Sequence, residues 1–158
     1  MSTPLENLLG PLLNRRGLRL AVAESCTGGL VGHRITNVPG SSDYYLGSVT
    51  AYAYEAKVRL LGVSWDTLNT FGAVSRETVL EMARGVQAAL GAEIGLSVSG
   101  IAGPGGGTPD KPVGTTWIGL SAAGYEGAWH FVWSGDRLQN KELSAEMALR
   151  LLVDYLNA

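Results

Sequence analysis

The order of apolar runs along this chain predicts an α/β domain in which helices layer against a mixed sheet. Short runs of strand length alternate with segments whose apolar residues recur at helical spacing. Near the end two strand-like runs are joined through Gly124-Tyr125-Glu126-Gly127, a hairpin signal that adds antiparallel pairing to the parallel pairing implied by strand–helix alternation. No repeat and no linker interrupts the pattern, so the 158 residues read as one domain, residues 1–158.

The elements follow in order. Thr3-Pro4-Leu5-Glu6 reads as a capped helix start, and Leu5, Leu8, Leu9, Leu12 and Leu13 give the helix its core face. Gly10-Pro11 predicts a kink or break within it, and Gly17 its end. Leu18 to Ala23 reads as a strand, followed by a helix from about Thr27 to Thr36. Gly47 to Tyr52 is a second strand, with a short helix carrying Lys57, Leu60 and Leu61 after it. Ser75 caps a stronger helix with Val79, Met82, Ala83, Val86 and Leu90 on one face. Ile94 to Ser99, Val113 to Ala122 and Ala128 to Trp133 complete the strands. Asp136 caps a last helix, whose inner face is assigned to Leu138, Ala145, Leu149, Leu152 and Leu156.

Composition excludes several classes. The net charge is −2 and no basic run exceeds Arg15-Arg16, which argues against nucleic acid as a partner. Charges or glycines interrupt every apolar stretch before membrane-spanning length, and MSTPLENLLG lacks the features of a signal peptide. One cysteine, Cys26, and two histidines leave no disulfide and no metal-ligand pattern. The expectation is a cytoplasmic domain with no metal and no cofactor. Only 16% of the residues are charged, and Trp129 and Trp133 fall on the hairpin. Both features suggest a homo-oligomer, a dimer or trimer.

Three segments carry candidate chemistry. In AESCTGG (23–29), Ser25 stands between a strand and a helix, either as a helix cap or as a nucleophile lifted to the sheet's edge beside free amides. Gly28 and Gly29 let a substrate approach the backbone, whose amides suit a phosphate or an oxyanion. Cys26 reads as a small buried hydrophobe more readily than as a nucleophile. Glu24 is either a general base or a charge tied to a backbone amide. In TAYAYEAK (50–57), Lys57 is a solvated charge on a surface helix or, with a lowered pKa, the base that a serine nucleophile needs. Tyr52 is a strand-end aromatic or a proton relay. The third segment, Gly100 to Pro112, fits neither a P-loop nor a dinucleotide fingerprint and reads as a binding loop between two strands.

These segments, together with GAVS (72–75), SVSGIAGPGGGTPDKPVGTTWIG (97–119) and SGDR (134–137), resemble the C-terminal domain of the CinA (competence/damage-inducible) proteins over nearly the whole chain. Members include nicotinamide mononucleotide amidohydrolases, also called deamidases. The resemblance implies a three-layer α/β/α fold and a metal-independent serine amidohydrolase of pyridine nucleotide recycling, acting on a small mononucleotide. It assigns Ser25 as nucleophile, Lys57 as base and Tyr52 as proton relay. Thr27, Gly28 and Gly29, with Ser99, Gly100, Ala102, Gly103, Gly105 and Gly106, would surround the substrate. Arg76, Arg84 and Arg137 are candidate partners for its phosphate. Two departures stand out. Tyr54 replaces the family's usual Asn, and Lys141 lies where arginine is common. The first keeps a second expectation alive, a nucleotide-binding module that has lost its chemistry. The chain also lacks the N-terminal domain of full-length CinA, and its opening reads as that of a standalone protein.

Overall fold

A computed structural model describes residues 2–158. Its five strands are β1 (Leu20–Glu24), β2 (Tyr45–Thr50), β3 (Ile94–Gly100), β4 (Thr115–Ala122) and β5 (Tyr125–Val132), in the order β2-β1-β3-β4-β5. β1 runs parallel to β2 and β3, while β4 is antiparallel to both β3 and β5. Helices α1 (Leu5–Arg16), α2 (Leu30–Thr36) and α6 (Arg137–Asn157) cover one face. Helices α3 (Tyr54–Leu61), α4 (Trp65–Phe71) and α5 (Arg76–Leu90) cover the other. The architecture is the expected three-layer α/β/α sandwich with a mixed sheet.

The period of two along each strand sorts its side chains between the two cores. Leu20, Val22, Ile94, Leu96, Val98, Ile118 and Leu120 pack under α1, α2 and α6 with Leu9, Leu13, Ile35, Leu149 and Leu152. Ala21 and Ala23 face the opposite core with Leu61, Leu68, Met82 and Val86. On that side small residues let α5 lie against the sheet at backbone distance. The Ser97 hydroxyl donates to the Val79 carbonyl of α5 at 2.5 Å. A Cβ on Gly119 would stand 2.6 Å from both the Val79 oxygen and Ser97 Oγ.

Several element boundaries differ from expectation. α1 runs unbroken through Gly10-Pro11. Pro11 removes one hydrogen bond, but Leu5, Leu9, Leu12 and Leu13 hold the helix from outside it, and a Cβ at Gly10 would lie 3.1 Å from the Tyr44 ring. Its N-cap is Pro4 rather than Thr3, and Glu6 does not reach back. It accepts from Arg34 at 2.7 Å, and Arg34 also meets Glu146. α4, capped by Ser64, is an unexpected short helix. The hairpin turns at Ala123-Gly124, because Ala122 pairs with Tyr125 and Gly124 supplies a φ of 71°. The segment Tyr125–Gly127 therefore belongs to β5. Asp136 caps α6 in a full capping box with Gln139, but Leu138, in the first turn, is 68% exposed rather than inward.

Adding a methyl group at position 119 tests the close contact of α5 with the sheet. Gly119→Ala should lower stability by about 1–3 kcal/mol, visible as a lower urea midpoint with an unchanged slope.

Candidate active site

Because β1, β2 and β3 are parallel, the segments that leave their C-terminal ends emerge at one edge of the sheet. Ser25 is the first residue beyond β1. Its amide donates to the Val98 carbonyl of β3 at 3.0 Å, and the Ala51 amide, just beyond β2, donates to the Glu24 carbonyl at 2.9 Å. Lys57 lies on α3, 32 residues along the chain from Ser25. A helical side chain leans toward the N-terminus of its helix, which carries the Lys57 amine back to this junction. Nζ sits 2.8 Å from Ser25 Oγ and 2.9 Å from each of the carbonyl oxygens of Ala51 and Tyr52.

Lys57 is 1% exposed, so the solvated-charge alternative does not describe it. Burial disfavours the ammonium and brings its pKa from the ordinary lysine range down to about 8. A neutral amine has two N–H donors and one lone pair, and the three neighbours match that inventory. The carbonyls of Ala51 and Tyr52 take the two donors, and Ser25 O–H can give its proton to the lone pair.

Glu24, the residue before Ser25, points to the opposite side of β1. It is fully buried and accepts from Thr27 Oγ1 at 2.6 Å and from the amides of Gly29, Val31 and Gly32 at 3.2, 3.0 and 3.0 Å. The carboxylate thus caps α2, so Ser25 is not the cap, and Glu24 is tied to backbone rather than free to act as a base. Gly29 is the N-cap residue with a φ of 108°, and Gly28 before it has a φ of 60°, which delays the helix to Leu30. Among the described residues, the amides of Cys26 and Thr27 in this turn have no hydrogen-bond acceptor. Cys26 points into the core beneath α1, α2 and α6, where burial pushes its thiol up to about 12. It is the buried hydrophobe of the two alternatives.

The glycine loop meets this junction from β3. Ser99 is 1% exposed and its hydroxyl has no hydrogen-bond partner among the described residues. It follows Val98, so it neighbours Ser25 across the sheet. Three long side chains fasten the loop. Asn140 donates to the Ala102 carbonyl at 3.0 Å, Arg137 donates to the Gly103 carbonyl at 2.7 Å, and Lys111 Nζ donates to the Phe71 carbonyl at the end of α4. Gly105, Gly106 and Gly107 are exposed between these ties.

Some predicted participants fall elsewhere. The Tyr52 side chain is 61% exposed, and its hydroxyl accepts from Arg137 at 3.1 Å. Only its carbonyl touches Lys57, and the direct Ser25–Lys57 contact leaves no gap for a relay. The Thr27 hydroxyl is committed to Glu24, which leaves its amide for a substrate. Arg84 pairs with Glu126 on the α5–β5 flank, and Arg76 lies near the same carboxylate, so neither faces Ser25. Lys141, by contrast, places Nζ 3.9 Å from where a Cβ on Gly28 would stand, beside the turn. Sequence reasoning had not placed it there, and its position one turn along α6 from Arg137 was the available signal. A hollow of about 860 Å³ between α2 and α6 is lined by His33, Arg34, Gln139 and Glu142 and includes neither Ser25 nor Lys57. The lowered pKa of Lys57 and its contact with Ser25, more than hollow size, mark the candidate site. Among the described residues, no three His, Cys, Asp or Glu side chains converge as a metal site would require.

Comparison with known proteins identifies the family and its fold. The family model described as the CinA C-terminal domain matches residues 2–156. A putative competence-damage inducible protein of Halothermothrix orenii is 51% identical over 157 residues, 98% of this chain and 38% of its own length. A CinA-like protein of Salinibacter ruber is 54% identical over 145 residues, 92% of this chain and 35% of its own length. The chain therefore spans little more than a third of these curated relatives. Among solved structures, the competence damage-inducible protein A (ComA) of Klebsiella pneumoniae superposes with a TM-score of 0.93 at 34% identity, covering 97% of this chain and 95% of that one. The competence/damage inducible protein CihA of Agrobacterium tumefaciens gives 0.89 at 35% identity, covering 100% and 98%.

The Glu24 cap can be tested without changing its shape. Glu24→Gln sets an amide N–H₂ against one of the backbone donors that the carboxylate now satisfies. The variant should lose about 1–3 kcal/mol of stability, measured as a shift in the denaturant midpoint.

Proposed function

We propose that this chain, which belongs to the CinA C-terminal domain family, is a serine amidohydrolase that converts nicotinamide mononucleotide and water to nicotinate mononucleotide and ammonia. The observation that carries the reading is the 2.8 Å contact between Ser25 Oγ and the buried Lys57 amine. In the proposed mechanism, neutral Lys57 takes the Ser25 proton as Oγ attacks the carboxamide carbon. The free amides of Cys26 and Thr27 are the candidate donors to the tetrahedral oxyanion. Protonated Lys57 returns the proton to the departing amine, so ammonia leaves and an ester to Ser25 remains. Lys57 then activates water, which cleaves that ester, releases the acid and restores the serine. The unpartnered Ser99 hydroxyl is a further candidate contact for the carboxamide. Lys141 and Arg137, at the mouth, are the cations proposed for the phosphate.

The alternative of a module that binds but does not react stems from Tyr54. Its ring lies against Trp65, with centroids 6.4 Å apart, and the Ser25–Lys57 contact is intact beside it. No observation favours the alternative over the enzyme.

Ammonia release from nicotinamide mononucleotide, followed with Ser25→Ala and Lys57→Met, is the direct test. Both substitutions should reduce turnover at least about a hundredfold, and methionine keeps the lysine's volume so that loss of fold does not mimic loss of base. Unchanged turnover in either variant would remove that residue from the mechanism. The reaction should also respond to pH in one direction. The base works only as free amine, so kcat/KM should rise with pH and level off above about 8, the Lys57 pKa. A profile flat from pH 6 to 9 contradicts a lysine base.

A further inference from the structure

Among the described residues, the last strand of the sheet has one edge with no neighbour. β5 lies outside β4, and the β4–β5 ladder runs from Thr115↔Val132 to Ala122↔Tyr125 with no register shift. The Trp133 amide continues this ladder by donating to the Gly114 carbonyl at 2.9 Å. In an antiparallel ladder, successive residues turn their peptide groups to opposite sides. The odd-numbered residues of β5 therefore serve β4, while Glu126, Ala128, His130 and Val132 turn N–H and C=O outward. Chains usually blunt such an edge with lysine, proline, a bulge or brevity. β5 is eight residues long, YEGAWHFV, and has none of these.

Its side chains favour a second copy of the same strand. The outward groups of two antiparallel copies meet only if even-numbered residues pair with even-numbered ones. Centring the pair on Ala128 sets Glu126 opposite His130 of the second copy, twice over, and Tyr125 opposite its Phe131. A carboxylate facing an imidazole N–H, and an aromatic pair, are both favourable directly across an antiparallel ladder. Centring on Glu126 instead sets two carboxylates face to face, and centring on His130 sets two imidazoles. Arg84 already holds Glu126 from behind, through the α5–β5 face, so the polar row would run Arg84, Glu126, His130. Trp129 and Trp133, expected as an exposed patch, are half-buried, and Trp133 Nε1 donates to Ser144 at 3.0 Å. The backbone edge offers the association surface, not a tryptophan face.

We infer that two copies of this chain associate through β5, strand against strand and antiparallel about a twofold axis at Ala128, so that two five-stranded sheets become one. Sedimentation and oxidative cross-linking test the surface and its register. The protein should sediment at twice the 16.6 kDa chain mass. Ala128→Cys should cross-link nearly completely under mild oxidation, since facing residues of a hydrogen-bonded pair lie about 5.5 Å apart. Glu126→Cys should not, because its two copies would stand four residues apart along the ladder, about 13 Å. Ala128→Pro, which removes an outward N–H, should give a monomer with an unchanged circular dichroism spectrum. A monomeric parent protein, no cross-link from Ala128→Cys, or equal cross-linking from both cysteines would each overturn the inference. The buried Cys26 does not compete in the cross-linking experiment.

Discussion

Keeping the Lys57 amine away from water is the constraint on which the rest of the site depends. A buried ammonium without partners is costly enough that the group loses its proton instead. The protein supplies two carbonyls and one hydroxyl at hydrogen-bond distance, and all three come from the ends of adjacent parallel strands. The junction is held by backbone: Ala51 bonds to Glu24, Ser25 bonds to Val98, and Lys57 bonds to Ala51. Ser25 cannot be displaced relative to Lys57 without breaking a bond between β1 and one of its neighbours. The precision of the pair is thus a property of the sheet rather than of a loop.

Glu24, beside Ser25, matters through where it does not point. Glu24 and Ser25 are consecutive on an extended segment and so face opposite sides of the sheet. A carboxylate on the Ser25 side would form an ion pair with Lys57 and keep it charged. The same alternation sends Glu24 to the start of α2, where it satisfies amides that would otherwise need another partner. One strand's period of two therefore keeps the Glu24 carboxylate away from an amine whose pKa burial has lowered.

How much of this was legible depends on how local each feature is. The alternation of strands and helices, the Asp136 and Ser75 caps and the strand before the glycine loop were visible because their signals span a few residues. So was the choice of Ser25 and Lys57 as a pair, although that came from the resemblance. Lys57 alone reads as a surface charge, since nothing in α3 announces that its fourth residue will be sealed under Ala51 and Tyr52. Ser25 as a helix cap was plausible until Glu24 took that place from the preceding strand. Tyr52 was expected at a strand end as a side-chain relay, whereas β2 stops at Thr50 and what Tyr52 presents to Lys57 is a carbonyl, which no side-chain pattern encodes. Gly127 looked like a turn residue, whereas its lack of a Cβ makes room inside β5 for the Trp129 ring. In each case the missing information was a contact between distant segments.

The fastening of the glycine loop by Arg137 and Asn140 has a temporal side. Ser25 and Lys57 are both present by residue 57, yet the ties that shape the loop sit in the first turn of the last helix, which also covers the apolar face made by Leu96, Ile118 and Leu120. A chain still being synthesised thus carries the Ser25–Lys57 pair long before the enclosure around it can close. Enclosure of the site waits until α6 has been made and docks, a late step in the folding of these residues.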